Sequence, residues 1–350
     1  MEQKLMKGNE AVAEAAIRAG CKFYAGYPIT PQTELPEYLA KNMEKAGGVF
    51  LQAESEISAI NMIYGAAGAG ARAMTSSSSP GISLKQEGIS YIVGSELPCV
   101  IVNVMRVGPG LGGIQPSQSD YFQATKGGGH GDYRMVVLTP DSVQEMFDFT
   151  LAAFDIADRY RNPVMLLADG ILGQMMEPVN LYTPEPNRFD RSWATVGTGK
   201  AREHNIINSL YILPDESEKH NLKLQSKYRS MTDNEQKFEI VNPGADIMVA
   251  AFGIMSRIVK QAVREAEAEG LSVGMIRPQT VWPFPWKAFE SPAKAYLTAE
   301  LNSGQMVEDV RLAVNGRAPV HFIGKMGGAV LTAEEIIKKL KEIAGGIAHA

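Results

Sequence analysis

The chain has 350 residues, enough for about two domains at roughly 100–200 residues each. It is 45% hydrophobic and 21% charged, so it can build a core and is not compositionally disordered. A net charge of −5 with no Lys/Arg run gives no support for nucleic-acid binding or a polybasic membrane anchor.

The N-terminal MEQKLMKGNE has no apolar signal core, and no apolar run is long enough to span a membrane. Glu10–Ala19 predicts a helix with Val12, Ala15, Ala16 and Ala19 along it and Gly20 as its stop. Lys22–Ala25 reads as a short strand, and Tyr27–Pro31 (YPITP) then breaks the pattern with two prolines. Thr33–Met43 is helical, Val49–Gln52 a strand, and Glu56–Ala71 a helix rich in Ala and Gly. Arg72–Thr75 is strand-like, Ser76–Gly81 (SSSSPG) a turn, and Leu84–Ser95 a helix. Pro98–Met105 is a buried strand that leads into a glycine loop, Gly108–Gly113. Met135–Leu138 is a strand, Thr139–Asp141 starts a helix over Ser142–Ala157, and Asn162–Ala168 is another buried strand.

Continuously apolar strands alternating with helices predict an α/β fold, a parallel sheet covered on both faces. Sites in such sheets lie beyond the C-terminal strand ends. YPITP, SSSSPG and Arg106 with its glycine loop are therefore expected on one rim. Residues 180–240 are polar, with Pro184, Pro186 and Pro214. They read as a connecting arm with one helix near Glu216–Met231, where Leu224, Tyr228 and Met231 share a face. Alternation then resumes: strands at Ile247–Phe252, Leu271–Ile276, Tyr296–Leu301 and Val320–Ile323, with a helix at Ser256–Glu269. Thr332 and Glu335 have the spacing of a capping box before the last helix. The expected division is an α/β domain at 1–179, an arm at 180–240 and a smaller α/β domain at 241–350.

Several chemistries lose their footing. Cys21 and Cys99 are too few for an all-cysteine iron–sulfur cluster or a structural zinc site, and they suit a reducing, cytoplasmic setting. Gly108–Gly113 matches G-x-G-x-x-G, but IQPSQSD follows where a dinucleotide site needs a helix. VGTGKAR around Lys200 has Ala194 and Ala201 where a P-loop needs Gly and Ser/Thr. No metal-ligand spacing and no G-x-S-x-G elbow exist, and His130, in the glycine-rich GGGHGD, is open equally to a functional role and to that of a plain polar loop residue.

Glu54 and Glu56 stand where a strand meets a small-residue helix. An acidic residue there stabilises the helix N-terminus by roughly 0.3–1 kcal/mol, and Ser55 or Glu56 fits that role. The wider pattern, Glu56 followed by Ala59 and Gly65 in EISAINMIYGAAGAGAR, resembles the pyrimidine-binding domain of thiamine-diphosphate enzymes. There a glutamate opens such a helix, and its carboxyl shares a proton with the aminopyrimidine ring so that the cofactor can lose its C2 proton.

GYPITP with Gln32, Thr33 and Glu34, GGVFLQAESE, GARAMTSSSSPGISL, QEGISY, ELPCVIVNVMRVGPGLGG, IQPSQSD and GGGHGD all resemble one family. It is the 2-oxoacid:ferredoxin oxidoreductases, in their pyrimidine-domain α subunit. The region from Ala245 to about Gly328, with IRPQTVWPFP, resembles it too, while residues 180–240 do not. The resemblance implies a pyrimidine-binding domain followed by a transketolase-C-terminal-like α/β domain. It implies Glu56 as the cofactor glutamate, with Glu54 the out-of-register alternative. It also implies Tyr27, Pro28 and Ile29 at the cofactor, and Thr30 and Arg106 on the 2-oxoacid carboxylate, where an arginine fork pairs bidentately. The alternatives are a helix cap for Thr30 and a surface ion pair for Arg106.

The Gly-Asp-Gly and Asn-Asn pattern of the diphosphate half is missing; Ala168-Asp169-Gly170 is not that motif. Diphosphate, Mg2+ and [4Fe-4S] clusters are thus implied on partner chains: a β-type subunit, then γ and ferredoxin-like δ subunits. The implied reaction is oxidative decarboxylation of a 2-oxoacid with CoA to acyl-CoA and CO2, reducing ferredoxin. MRVGPGLGG differs from the Arg-Gly-Gly-Pro-Ser-Thr of 2-oxoglutarate enzymes and points to branched-chain acids such as 3-methyl-2-oxobutanoate. Pyruvate or 2-oxoglutarate, a transketolase-like reaction and a non-catalytic scaffold are the alternatives.

Overall fold

The computed structural model describes residues 2–185, 189–199 and 201–348; Pro186 and Lys200 lie outside the described residues. Its first strands are Glu2–Lys7 (β1), Phe23–Gly26 (β2), Val49–Gln52 (β3), Ala73–Ser77 (β4), Val100–Met105 (β5), Val136–Leu138 (β6) and Val164–Asp169 (β7). Then come Met176–Leu181 (β8), Phe238–Val241 (β9), Ile247–Ala250 (β10), Val273–Pro278 (β11), Thr280–Trp282 (β12), Ala295–Glu300 (β13) and Val320–Gly324 (β14).

Among the described residues, seven strands form one sheet in the order β12-β6-β7-β5-β4-β2-β3. All its pairs are parallel except β12 with β6. β4, β5 and β7 are buried along their whole length, as continuously apolar central strands must be when helices cover both faces. The second sheet runs β14-β13-β10-β11-β9, with β9 antiparallel at its edge. β1 and β8 make a separate antiparallel pair.

Most of the expected elements are present, and the departures are physical. SSSSPG is not a turn. Ser76 and Ser77 belong to β4, Ser78 alone links, and a helix runs from Ser79 to Gly94. Pro80 sits in its first turn, where a missing N–H costs nothing. The polar stretch before residue 241 holds a helix at Pro214–Asn234 with Leu224, Tyr228 and Met231 buried, and β9 at its end joins the second sheet. Thr280–Trp282 returns to the first sheet, so the C-terminal region also completes the N-terminal one. Thr332 and Glu335 do cap each other: the Thr332 N–H donates to Glu335 and the Glu335 N–H to the Thr332 hydroxyl.

Buried polar groups join the two sheets. Gln118 accepts from the Leu301 N–H at 3.0 Å and donates to the Phe252 carbonyl at 2.7 Å. Arg277, on β11, is 2% exposed and pairs with Glu145, with Glu239 at 3.1 Å and with Asp141 at 3.3 Å. Asp169, at the end of β7, accepts from the Ile171 N–H at 2.9 Å and from the Ile254 N–H of the other unit.

Two predictions follow from these links. Arg277→Met takes from Glu145 its cation and leaves Asp141 and Glu239 with Lys260 alone, and lowers stability by about 3–5 kcal/mol in chemical denaturation. Burial pushes the Asp169 carboxyl up, to about 6. A raised folded-state pKa contributes stability at low pH that is lost as pH rises through that value. Asp169→Asn therefore gains on wild type as pH goes from 4 to 7, by about 1–3 kcal/mol in pH-dependent unfolding.

Candidate active site

The register of the parallel sheet sets the site. Gly26 lies opposite Gln52, Ser77 opposite Asn103, and Met105 opposite Asp169. The segments that follow β2, β3, β4, β5 and β7 therefore emerge at one end. The structure brings YPITP, the serine segment and Arg106 together there.

Glu56 is the first residue of the helix Glu56–Gly68 and is buried. The capping role falls to Ser55, whose hydroxyl accepts from the Ser58 N–H at 3.2 Å. Glu54 is exposed and accepts from the Ser58 hydroxyl. The choice between the two glutamates is thus made by geometry: Glu54 faces out and Glu56 faces in. No hydrogen bond to the Glu56 carboxylate is formed among the described residues. It rests on Gly81 of the neighbouring helix, where an added Cβ would lie 2.7 Å from Glu56 Oε1 and 2.1 Å from Ser77 Oγ. Glycine is required there for close approach rather than for its backbone freedom.

Arg106 follows β5 directly and is 9% exposed. Its Nη1 donates to the Thr30 carbonyl at 3.0 Å and its Nη2 to the Leu111 carbonyl at 3.3 Å, while Nε has no partner. It is therefore no surface ion pair: both partners are neutral. Its backbone N–H donates to Ser79 Oγ at 3.0 Å, and Ser79 donates to Asp120 at 2.6 Å. Asn103 Nδ2 also donates to Asp120 at 2.9 Å. Burial pushes the Asp120 carboxyl up. The glycine loop after Arg106 closes on itself, with the Val107 N–H donating to the Gln115 carbonyl at 2.9 Å, and the next helix, Tyr121–Thr125, does not start from the loop as a dinucleotide site requires.

Thr30 is exposed at the rim and caps no helix; its neighbours Tyr27 and Pro28 are exposed and Ile29 half-buried. The turn is held from behind by Gln32, which accepts from Ser76 at 2.6 Å, and by Asn9 and Gln174, which donate to the Pro31 carbonyl at 2.8 and 3.1 Å. His130 is exposed on a loop against Tyr91, with its ring in no hydrogen bond to the site. Sequence reasoning missed Ser79, Asp120 and Lys85. Lys85 shares a helix face with Gly81 and Gly88 by its spacing, and that was the signal available.

Two comparisons by sequence place these features. The family model for pyruvate flavodoxin/ferredoxin oxidoreductase, thiamine-diphosphate-binding, matches residues 14–239. The model for pyruvate:ferredoxin oxidoreductase core domain II matches residues 245–336. The ketoisovalerate oxidoreductase subunit VorB of Methanothermobacter marburgensis is 48% identical, over 99% of both chains. The 2-oxoglutarate synthase subunit KorA of Methanocaldococcus jannaschii is 39% identical, over 96% of this chain and 98% of its own. Among solved structures, 2-oxoglutarate:ferredoxin oxidoreductase from Magnetococcus marinus superposes with a TM-score of 0.88 at 30% identity. That match covers 97% of this chain, which spans 65% of the solved one. The chain belongs to the 2-oxoacid:ferredoxin oxidoreductase family, whose members are oxidoreductase subunits that act with partner subunits.

The rim fits thiamine diphosphate. Among the described residues the buried hydroxyls of Ser77 and Ser78 have no partner, and the Glu56 carboxylate and the Ser77 hydroxyl both face Gly81. Gly81→Ala puts a methyl group into that space. It lowers stability by about 1–3 kcal/mol and weakens cofactor binding, measured by titrating thiamine diphosphate into the apo complex.

Proposed function

We propose that this family member is the pyrimidine-binding α subunit of a complex that oxidatively decarboxylates branched-chain 2-oxoacids. The overall change is 2-oxoacid plus CoA to acyl-CoA and CO2, with two electrons leaving to ferredoxin. The observation that carries the reading is one rim holding an unbonded buried carboxylate, Glu56, and a buried arginine, Arg106, with neutral partners only.

Bound thiamine diphosphate supplies the nucleophilic carbon and the electron sink that decarboxylation needs. Glu56 holds the proton shared with the aminopyrimidine ring nitrogen. Tyr27, Pro28 and Ile29 form the cofactor-facing edge of the rim. Arg106 receives the substrate carboxylate, and its free Nε and its neutral partners leave it the charge to do so. Thr30, whose carbonyl already fixes Arg106, offers its hydroxyl to the same carboxylate.

The branched-chain preference rests on the 48% identity to a ketoisovalerate subunit and on the lining beside Thr30. A cavity of about 700 Å³ there is lined by Ile114, Ile171 and Met175 together with the polar Thr33, Gln115 and Gln174, and its one acid, Glu34, is paired with Lys7 at 2.9 Å. Its three apolar side chains suit an aliphatic substituent. The diphosphate, Mg2+ and a [4Fe-4S] cluster belong to a β-type partner, with γ and ferredoxin-like δ subunits completing the complex. No helix among the described residues is long and apolar enough to cross a membrane, and two buried free thiols, Cys21 and Cys99, suit the cytoplasm.

The test is CoA-dependent viologen reduction by the co-expressed complex. Highest kcat/KM is expected with 2-oxoisovalerate, ahead of pyruvate and 2-oxoglutarate. Glu56→Gln lowers kcat by about 10²–10⁴-fold. Arg106→Ala lowers kcat/KM by about 10–100-fold, the worth of a charged hydrogen bond. Normal turnover in Glu56→Gln removes the assignment.

A further inference from the structure

Lys85 is fully buried in the helix Ser79–Gly94. It carries one hydrogen bond among the described residues, from Nζ to Thr75 Oγ1 at 3.1 Å. Thr75 spends its own hydroxyl proton on the Ala25 carbonyl at 2.7 Å, so it can only accept from Lys85. A buried ammonium with a single neutral partner is an expensive arrangement. A family function that needs it explains why such a group stands in a core.

Its position names the function. Gly81, on which Glu56 rests, is four residues before Lys85, and Gly88, on which Ile60 rests, is three after. The three residues share one helix face, and that face lies against the helix that Glu56 opens. The Glu56 charge favours the Lys85 ammonium, against the burial that disfavours it. From β4 it meets the Thr75 hydroxyl, and from β2 the nearest titratable group is Tyr24, which is bonded to Ser76 and held neutral by burial. Glu87, on its own helix, bonds outward to exposed Tyr91.

We propose that Lys85 is a positioning residue for Glu56: its buried ammonium, fixed on Thr75 beneath the helix face on which Glu56 rests, supplies the positive charge that sets where the proton shared by Glu56 and the cofactor's pyrimidine ring resides. The inference rests on the role given to Glu56 above. Burial pushes the Lys85 ammonium down to about 8, so it still carries its charge at neutral pH. A cation behind a carboxylate lowers the proton affinity of the whole carboxylate–pyrimidine pair. Removing it raises that affinity whichever partner holds the proton.

The experiment compares Lys85→Met, Lys85→Gln, Glu56→Gln and the Lys85→Met/Glu56→Gln double variant in the complete complex. Near-ultraviolet circular dichroism of bound thiamine diphosphate is followed against pH, beside turnover and thermal unfolding. In Lys85→Met the spectral midpoint and the acid limb of kcat move up by about one pH unit or more. The kcat at pH 7 falls about tenfold while KM for the 2-oxoacid stays within about twofold. The melting temperature does not fall, because an apolar residue replaces a buried charge. Lys85→Gln keeps a donor for Thr75 and shows the same pH shift, so packing is not its cause. In the Glu56→Gln background the lysine change adds nothing. An unshifted midpoint in both lysine variants, or additive losses in the double variant, overturns the proposal while the function stands. Full activity in Glu56→Gln sinks both.

Discussion

The close crossing of the helices Glu56–Gly68 and Ser79–Gly94 governs the rest of the site. It is possible because Gly81 and Gly88 have no side chains: a Cβ on either would lie within 2.8 Å of Glu56 or Ile60. The second helix then does four things along its length. Ser79 fixes the backbone of Arg106, Gly81 admits Glu56, Lys85 bonds to the central sheet, and Gly88 admits Ile60. A helix that packs this closely transmits small displacements, since interiors at crystal-like density leave no slack. That helix therefore seats the Glu56 carboxylate and fixes the Arg106 backbone, while two loops hold the Arg106 guanidinium through the Thr30 and Leu111 carbonyls.

Much of this was legible in the sequence, and the reasons differ by element. β4, β5 and β7 announced themselves because a strand buried on both faces must be continuously apolar. The rim was legible because parallel sheets put their sites at one end. Thr30, Glu56 and Arg106 followed from motif resemblance, and the fold brings them to that end. The serine run misled because serines favour turns in sequence statistics. Here Ser76 is a strand residue whose hydroxyl joins Tyr24 and Gln32, a tertiary arrangement with no local signature.

Other features depend on long-range pairing alone. The return of Thr280–Trp282 to β6 and the pairing of Glu2–Lys7 with Met176–Leu181 join residues far apart in the chain. Such short, half-polar strands have no periodicity of their own; their partners define them. The sequence favoured Glu56 over Glu54 by motif resemblance alone, for a related reason. Either residue serves a helix N-terminus, and only the Ser55 side chain, by taking the cap, frees Glu56 to face inward.

The buried cations give the strongest argument for where the chemistry lies. Among the described residues three basic side chains are buried: Lys85, Arg106 and Arg277. Arg277 meets three carboxylates and is a structural link between the sheets. Arg106 meets two carbonyls, and Lys85 meets one hydroxyl. A buried charge that no counter-ion bonds is costly, and folding alone gives no reason to retain it. Both such groups stand at the helix that receives Glu56, one at the mouth of the rim and one behind it. A charge left open at the mouth suits an anionic substrate that arrives there. A charge behind a carboxylate suits the control of its proton. Replacing both by apolar residues would make a better-packed protein, and its rim would have nothing left to hold an acid or steer a proton.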